Sequence, residues 1–85
     1  MSYAVELSET AKGNLRHIEQ QSAKRITDKI ERIRNNPFDY VKRLRGVPFY
    51  SLRVGDYRVI MDIRKGIMLI FVVRIGHRKE VYEEL

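Results

Sequence analysis

The sequence predicts one α+β domain over residues 1–85, in which a helical hairpin packs on one face of a mainly antiparallel, four-stranded sheet and a short C-terminal tail follows. The chain is long enough for one domain with a modest core. Two amphipathic helical patterns follow each other between residues 8 and 36, and three β-type runs joined by short turns occupy residues 47–75. Helices and strands that are grouped along the chain in this way are typical of the α+β class.

The N-terminal segment predicts a short strand followed by a helix. Apolar residues alternate over residues 3–7, which is the pattern of a half-buried strand. Ser8 then offers a hydroxyl N-cap, and Glu9 places a carboxylate in the first helical turn, where it suits the helix dipole. The apolar stripe of this helix recurs at positions i, i+4 and i+7, at Ala11, Leu15 and Ile18.

A second helix is expected after a break at residues 20–22, with Ser22 as its N-cap. Pro37 ends this helix, because the residue before a proline disfavours the α region. The apolar stripe is cleaner than that of the first helix and consists of Ala23, Ile26, Ile30 and Ile33. Two such helices with little between them predict a helical hairpin that lies on one surface.

Residues 38–48 are expected to form a connector without regular structure. Its distinctive feature is a run of three cations within four residues, Lys42, Arg43 and Arg45. Such a run serves either solubility or contact with phosphate groups. We favour the phosphate-contacting rim, because the connector leads directly into the strands.

Three strands follow the connector, and the N-terminal strand is their expected partner in a sheet of four. The three strands are predicted at Val47–Val54, Tyr57–Arg64 and Ile67–Ile75. The middle one has an all-apolar face that should receive the helices and a mixed face, with Arg58, that should contact water. The last one is apolar on both faces until Arg74, which is typical of a strand in the middle of a sheet.

The first two of these strands meet at Gly55-Asp56, and glycine at the first central position of a two-residue loop suits a type II′ hairpin turn. In that register Arg53 faces Arg58, and like charges directly opposite each other in a sheet are destabilising. Two guanidinium groups in this arrangement either splay into water or hold an anion between them. A bulge at Gly55 would instead turn Arg53 towards the helices.

The net charge of +6 is concentrated in the second part of the chain. Residues 1–39 carry an excess of one positive charge, whereas residues 40–85 carry an excess of five. A basic field of this kind indicates a phosphate polymer such as nucleic acid as the partner. A solvated basic surface, or a face that meets an acidic protein, is the alternative interpretation.

The composition argues against several classes of protein. The chain has no cysteine, which excludes disulfides and thiolate metal sites. His17 and His77 belong to different predicted elements and no cluster has ligand spacing, so neither a metal nor a cofactor is expected. The N-terminus lacks the pattern of a signal peptide, and the longest apolar run, residues 67–73, is too short to span a bilayer. We therefore expect a cytoplasmic protein without a membrane partner.

The residues that remain as candidates for chemistry are mostly arginines on the strands or just past them, at Arg53, Arg58, Arg74 and Arg78. Arginines stabilise the transition states of phosphoryl transfer by fork-like hydrogen bonds and fixed positive charge. RNA cleavage needs no metal, because the ribose 2′-OH can attack the adjacent phosphorus while a titratable group manages the protons. Tyr82 and His77 are the candidates for that group. The alternative is simple binding, with arginines that only solvate the surface.

Three segments together carry a resemblance to a known family: residues 44–46 (Leu-Arg-Gly), residues 52–60 (Leu-Arg-Val-Gly-Asp-Tyr-Arg-Val-Ile) and residues 76–82 (Gly-His-Arg-Lys-Glu-Val-Tyr). They resemble the RelE/ParE superfamily of toxins of type II toxin–antitoxin systems, and most closely the archaeal-type members of its RelE branch. The resemblance covers nearly the whole chain and implies a microbial RNase-like fold.

The resemblance also implies an activity and partners. Toxins of the RelE branch are ribosome-dependent mRNA interferases, which enter the ribosomal A site and cut the mRNA codon there by 2′-OH attack. The cut leaves a cyclic phosphate and inhibits translation. The expected partners are therefore mRNA on the ribosome, rRNA, and an acidic, helical antitoxin of the RelB type that wraps around the toxin and holds it inactive.

The resemblance assigns roles to single residues. Arg58 matches the arginine after the tyrosine of the strand meander, Arg78 matches the arginine just past the last long strand, and Tyr82 matches the tyrosine of the terminal Glu-Val-Tyr segment. These three residues and His77 are the expected catalytic set. The expected RNA- or phosphate-binding residues are all basic: Arg53, Lys42, Arg43, Arg45, Arg74 and Lys79.

One departure from the family pattern affects the expected chemistry. The best-studied bacterial relatives place two lysines on the strand before the turn, where this chain has Phe49 and Ser51. Neither side chain donates a proton as an ammonium does, so His77 or the cations of the connector are the expected substitutes. The departure also keeps two alternatives open, namely a ParE-like poison of DNA gyrase and a catalytically degenerate module that only binds an antitoxin.

Overall fold

A computed structural model, which describes residues 1–78, 80 and 81, shows two helices packed against one face of a five-stranded sheet. The helices are α1 (Glu9–His17) and α2 (Gln20–Arg32). The strands are β1 (Ala4–Leu7), β2 (Lys42–Arg43), β3 (Tyr50–Val54), β4 (Tyr57–Arg64) and β5 (Leu69–His77). The expected α+β class and helical hairpin are confirmed, with one strand more than predicted.

The strand order across the sheet is β1-β5-β4-β3-β2. The last three strands form the expected antiparallel meander, and β1 adds to its edge in parallel with β5. The additional strand, β2, pairs antiparallel with β3 at the opposite edge, where Lys42 faces Ser51 and Arg43 faces Tyr50. The prediction that residues 38–48 form only a connector was therefore wrong, because a two-residue strand is too short to show a periodic pattern.

The two helices begin at different kinds of cap. The Ser8 hydroxyl accepts a hydrogen bond from the backbone N–H of Ala11 at 3.0 Å, which confirms the predicted N-cap of α1. Helix α2 begins at Gln20, so the prediction of Ser22 as its N-cap was wrong. Glu19 is the cap, because its carboxylate accepts hydrogen bonds from the N–H of Gln21 at 3.2 Å and from the Ser22 hydroxyl at 3.3 Å.

The main core lies between the helices and one face of the sheet. The predicted apolar stripe of α2 supplies Ile26, Ile30 and Ile33, all buried, and packs against apolar residues of β3, β4 and β5. Residues of β4 alternate as predicted, with Val59, Met61 and Ile63 on the helix side: these three belong to the buried cluster. We call the opposite face of the sheet, which turns away from α1 and α2, the outer face.

Two strands have different limits from the predicted ones. Strand β3 begins at Tyr50 rather than Val47, because residues 45–48 form the turn that joins it to β2. Strand β5 runs over Leu69–His77, because residues 65–67 form a 3₁₀ turn and Met68 adopts a left-handed conformation with φ of 51°. A bulge in β5 lies at Val73, since Ile60 pairs with Arg74 and Met61 with Val72. No helix in the described part of the chain is long and apolar enough to cross a membrane.

Candidate functional site

The hairpin between β3 and β4 has the predicted geometry. Its loop has two residues, because Val54 pairs with Tyr57 and Arg53 pairs directly with Arg58. Gly55 has a φ of 58°, which matches the first central position of a type II′ turn. The register shift of the sheet lies elsewhere, between β4 and β5, so no bulge turns Arg53 towards the helices. The two guanidinium groups therefore share the outer face.

Arg58 is flanked on its other side by a position without a side chain. Gly76 of β5 is its cross-strand partner. A Cβ atom added at Gly76 would lie 3.4 Å from the Cβ of Val81, so the segment after β5 folds back onto the outer face at this point. Val81 is only 2% exposed and is not part of the main core cluster, which agrees with a small apolar contact on the outer face.

A groove of about 460 Å³ runs from this arginine pair towards β2. We call it the cationic groove, and its lining consists of Asp39, Tyr40, Val41, Lys42, Arg43, Leu44, Ser51, Arg53 and Arg58. Four of these side chains are cationic and one is anionic. The ion pairs between described residues include none of the four cations. The single carboxylate, that of Asp39, accepts a hydrogen bond from the side-chain amide of Asn36 at 2.9 Å.

The arginine pair is only loosely held by the protein itself. Arg58 is half-buried, and its Nη1 donates a long hydrogen bond of 3.4 Å to the backbone carbonyl of Tyr57. Arg53 is exposed. Both groups therefore retain donors that can bind an anion in the groove, and the bidentate geometry of guanidinium suits a phosphate.

Lys42 stands beside the position where the sequence lacks an expected lysine. Ser51 lies on the outer face with its side chain in the groove and is 7% exposed. On β2, Lys42 is the direct cross-strand partner of Ser51. Side chains in such a pair have Cβ atoms about 4.5–5.5 Å apart. The groove therefore contains an ammonium group one strand away from the position that Ser51 occupies.

The other two cations of the connector differ in their placement. Arg43 lies over the ring of Tyr50, 5.6 Å from its centroid, and Nη1 donates to the Tyr50 hydroxyl at 3.3 Å. The Tyr50 ring in turn meets Phe38 edge to face, with ring centroids 5.4 Å apart. Arg45 is exposed in the turn between β2 and β3 and lines a shallow depression beside the groove rather than the groove itself.

The arginines of β5 approach the site from the other side. Arg74 pairs with Ile60, so it is a diagonal neighbour of Arg58 on the outer face. Arg78 lies just past β5, and its backbone N–H donates to the carbonyl of Asp56 at 3.0 Å. This hydrogen bond holds the backbone of Arg78 against the hairpin turn. The structure therefore brings together the predicted residues of β3, β4 and β5 around the hairpin.

His77 is not part of this grouping. It is the cross-strand partner of Tyr57, whose side chain packs against the main core, and the two rings stack at a centroid distance of 4.5 Å. His77 therefore lies on the helix side of the sheet, opposite to the cationic groove. The expected placement of His77 beside Arg58 was wrong, because β5 extends to His77 and its alternation turns this side chain away. Tyr82 and Lys79 lie outside the described residues.

Sequence reasoning missed one residue of the groove. Tyr40 lines it, is 43% exposed, and has the Lys29 ammonium 5.4 Å from its ring centroid. The available signal was an aromatic residue two positions before the cation run, which is a frequent combination in nucleic-acid sites. Among the described residues, no group of three or more His, Asp and Glu side chains could hold a metal ion.

Comparisons with known proteins agree with this geometry. The sequence profile of the family described as the ParE toxin of the type II toxin–antitoxin system parDE matches residues 5–82. A comparison with curated protein sequences gives no match.

Solved structures of RelE–RelB complexes have the same fold. A chain of the toxin–antitoxin complex RelBE2 from Mycobacterium tuberculosis has a TM-score of 0.85 and 22% identity, over 92% of this chain and 100% of that chain. The archaeal RelE–RelB complex from Pyrococcus horikoshii OT3 gives 0.79 and 22%, over 95% and 100%. The RelB–RelE complex from Methanococcus jannaschii gives 0.72 and 27%, over 93% and 96%. With the profile match over nearly its whole length, the chain belongs to the RelE/ParE superfamily and is a toxin of a type II toxin–antitoxin system.

Proposed function

We propose that this toxin is a metal-independent, ribosome-dependent endoribonuclease that cleaves mRNA in the ribosomal A site and so inhibits translation. The observation that carries the proposal is the direct pairing of Arg53 with Arg58 on the outer face, at the end of a groove with four cations that no described carboxylate neutralises. Such an arrangement keeps like charges together at a cost in stability, and a bound phosphate offsets that cost.

The proposed reaction is transesterification followed by release of the downstream RNA. The ribose 2′-oxygen attacks the adjacent phosphorus and loses its proton, the bond from phosphorus to the 5′-oxygen breaks, and this oxygen gains a proton. The products are a 2′,3′-cyclic phosphate and a 5′-hydroxyl. Arg58, with Arg53 beside it and Arg74 on the diagonal, stabilises the negative charge that develops on the phosphorane oxygens. Arg78, held against the hairpin turn, adds a further positive charge.

Proton transfer in this proposal falls to Lys42 or Tyr82. Lys42 places an ammonium across the ladder from Ser51, inside the groove. Tyr82 follows Val81 directly in the sequence, and Val81 packs over Gly76 beside Arg58. His77 has no part in the proposed chemistry because it lies on the opposite face of the sheet.

We further propose an acidic, helical antitoxin of the RelB type as the partner that holds the toxin inactive. The similar solved structures are complexes with RelB, and the net charge of +6 complements an acidic chain. Strand β1 forms one edge of the sheet and offers backbone groups for strand addition. Co-expression with the small acidic protein encoded next to the toxin tests this point: the two chains should co-purify in high salt, and failure to co-purify contradicts it.

The activity is tested by mapping cleavage of a message by primer extension in a translation extract, with and without ribosomes. Arg58→Ala and Arg78→Ala should each lower the cleavage rate by about 10²–10³-fold, the usual cost of one charge-stabilising donor. Arg64→Ala is the matched control, because Arg64 is on the same strand and face but is paired with Asp62 at 3.0 Å. Cleavage at the wild-type rate by both Arg58→Ala and Arg78→Ala contradicts the proposal.

A second candidate function is inhibition of DNA gyrase, because the matching family profile is that of ParE toxins and because β3 has Ser51 in place of a lysine. Purified toxin would then inhibit DNA supercoiling in the absence of ribosomes. A supercoiling assay with the wild-type toxin and Arg58→Ala separates the two functions, since a nuclease without a gyrase target leaves supercoiling unchanged.

A further inference from the structure

Helix α2 carries a second group of cations that the proposed reaction does not use. A crevice of about 330 Å³ separates α2 from the end of β3, and we call it the α2 crevice. Its charged lining consists of Arg25, Asp28, Lys29, Arg32 and Arg53. Arg53 also lines the cationic groove, so one side chain belongs to both depressions.

The four cations of the α2 crevice are not neutralised within the described part of the protein. Asp28 is the one carboxylate in the lining, and its oxygen is bound by Lys24 at 2.9 Å, on the same helix. None of the ion pairs between described residues involves Arg25, Lys29, Arg32 or Arg53. The crevice therefore presents a net positive charge to solvent.

The spacing of these cations is unfavourable for the isolated helix. Arg25, Lys29 and Arg32 occur at positions i, i+4 and i+7, and hence on one face of α2. Like charges at i and i+4 destabilise a helix by about 0.2–0.5 kcal/mol per pair. The helical rise of 1.5 Å per residue places successive members about 4.5–6 Å apart along the axis, comparable to the spacing of phosphates along a nucleic-acid strand.

The hairpin turn gives one of these cations room to reach the crevice. A Cβ atom added at Gly55 would lie 3.8 Å from Nη2 of Arg25, so the guanidinium of Arg25 lies against the turn that follows Arg53. Lys29 lies over the ring of Tyr40, which itself lines the cationic groove. Arg53 on one side and the Lys29–Tyr40 contact on the other thus connect the two depressions around the edge of the sheet.

We propose that Arg25, Lys29 and Arg32 form a binding site for the phosphate backbone of RNA, continuous with the cationic groove through Arg53. The site binds RNA beyond the cleaved codon and contributes affinity without taking part in the bond-breaking step. It rests on the proposed function, because the continuity with the groove assigns both sites to RNA. An acidic segment of a protein partner is the competing occupant, and the shared Arg53 favours RNA.

The test compares two triple variants with the same change in net charge. The first, Arg25→Gln/Lys29→Gln/Arg32→Gln, removes the α2 cations. The second, Lys12→Gln/Arg16→Gln/Lys65→Gln, removes three exposed cations that line neither depression. Binding to 70S ribosomes is measured over a range of salt concentrations, with a 2′-O-methylated codon in the A site so that cleavage cannot occur. Cleavage is measured separately, in single turnover at saturating toxin. Far-UV circular dichroism and a urea melt check that each variant folds.

The proposal predicts that the first variant lowers the slope of log affinity against log salt by about two to three, roughly one unit per phosphate contact. A slope lower by two corresponds to about 100-fold weaker binding at about 0.1 M salt when the proteins bind equally at about 1 M. The control variant and the saturated cleavage rate should stay within about three-fold of wild type. If the triple variant does not fold, Arg25→Gln/Arg32→Gln serves in its place, with a slope lower by about two.

Each other outcome overturns a distinct claim. Equal slopes for the two triple variants overturn the α2 site, because only total charge then matters. A lost cleavage rate at saturation with unchanged binding also overturns it, since the α2 cations would then act in the reaction. Unchanged ribosome binding with weakened antitoxin binding identifies an acidic protein as the occupant. If wild-type toxin binds ribosomes through the α2 cations but does not cleave, the proposed function fails while the α2 site stands.

Discussion

The pairing of Arg53 with Arg58 predicts a trade-off between stability and function. The two residues are direct cross-strand partners on the outer face, and the described ion pairs include neither of them. Unit charges roughly 5–8 Å apart in water repel each other by about 0.5–0.8 kcal/mol. Arg53→Gln keeps the polar stem but removes the charge, so it should raise the free energy of unfolding by that amount and at the same time impair cleavage.

Urea denaturation at low salt measures the effect, since guanidinium chloride would screen it. With an m-value of about 1 kcal/mol/M for a small domain, the midpoint should rise by about 0.5–0.8 M. The gain should disappear at about 1 M NaCl, where the Debye length is about 3 Å. Arg58→Gln should give a similar gain, and the double variant should gain less than the sum, because the same repulsion is removed only once.

Arg64→Gln provides the control for the stability measurement. Arg64 is on the same strand and face, but it forms an ion pair with Asp62, so its loss should leave stability unchanged or slightly lower. A midpoint for Arg53→Gln that falls at low salt, or a rise that persists unchanged at about 1 M NaCl, refutes the electrostatic reasoning. In that case the two guanidinium groups splay far enough apart to avoid each other, and the pair gives no evidence for an anion site.

Two further predictions concern a helix cap and the ammonium of the groove. Ser8→Ala should lower stability by about 1–2 kcal/mol in a thermal or urea melt, because the hydroxyl caps α1 and also donates to the Val73 carbonyl at 2.6 Å, whereas Ser22→Ala should change it by less than about 0.5 kcal/mol. Lys42→Met should lower the single-turnover cleavage rate by about 10²–10⁴-fold if the ammonium transfers a proton, and Lys42→Arg should not restore it. Full activity of Lys42→Arg assigns Lys42 to charge stabilisation instead, and full activity of Lys42→Met removes it from the site.

Local patterns in the sequence were sufficient for most of the fold. The alternation in β4 and the Gly55-Asp56 turn depend on neighbouring residues, and both were predicted within their observed limits. Strand β2 depends on a tertiary pairing with β3, so its two residues carried no local signal. The start of α2 was misplaced because serine is the commoner cap, whereas here the longer side chain of Glu19 folds back on the helix.

The candidate site was predictable where the turn determines the register and not where a strand end does. The two-residue loop places Arg53 opposite Arg58, so this pair followed from the sequence. His77 was expected in a tail after Ile75, but β5 continues for two more residues, and each added residue reverses the side of the sheet that a side chain occupies. The position of His77 thus depended on the length of β5, which apolar content alone does not determine.

The register of the sheet also changes the meaning of the missing lysines. Across the outer face, Lys42, Ser51, Ile60 and Arg74 form one row of cross-strand partners. The next row contains Arg53, Arg58 and Gly76. The ammonium that Ser51 cannot supply is therefore present one strand further out, about 4.8 Å away along the row. A toxin that had lost its chemistry would have no reason to retain an unneutralised cation there beside an arginine pair that costs stability. The departure from the family pattern is thus better explained by relocation of the ammonium than by its loss, and the catalytically degenerate alternative is the weaker one.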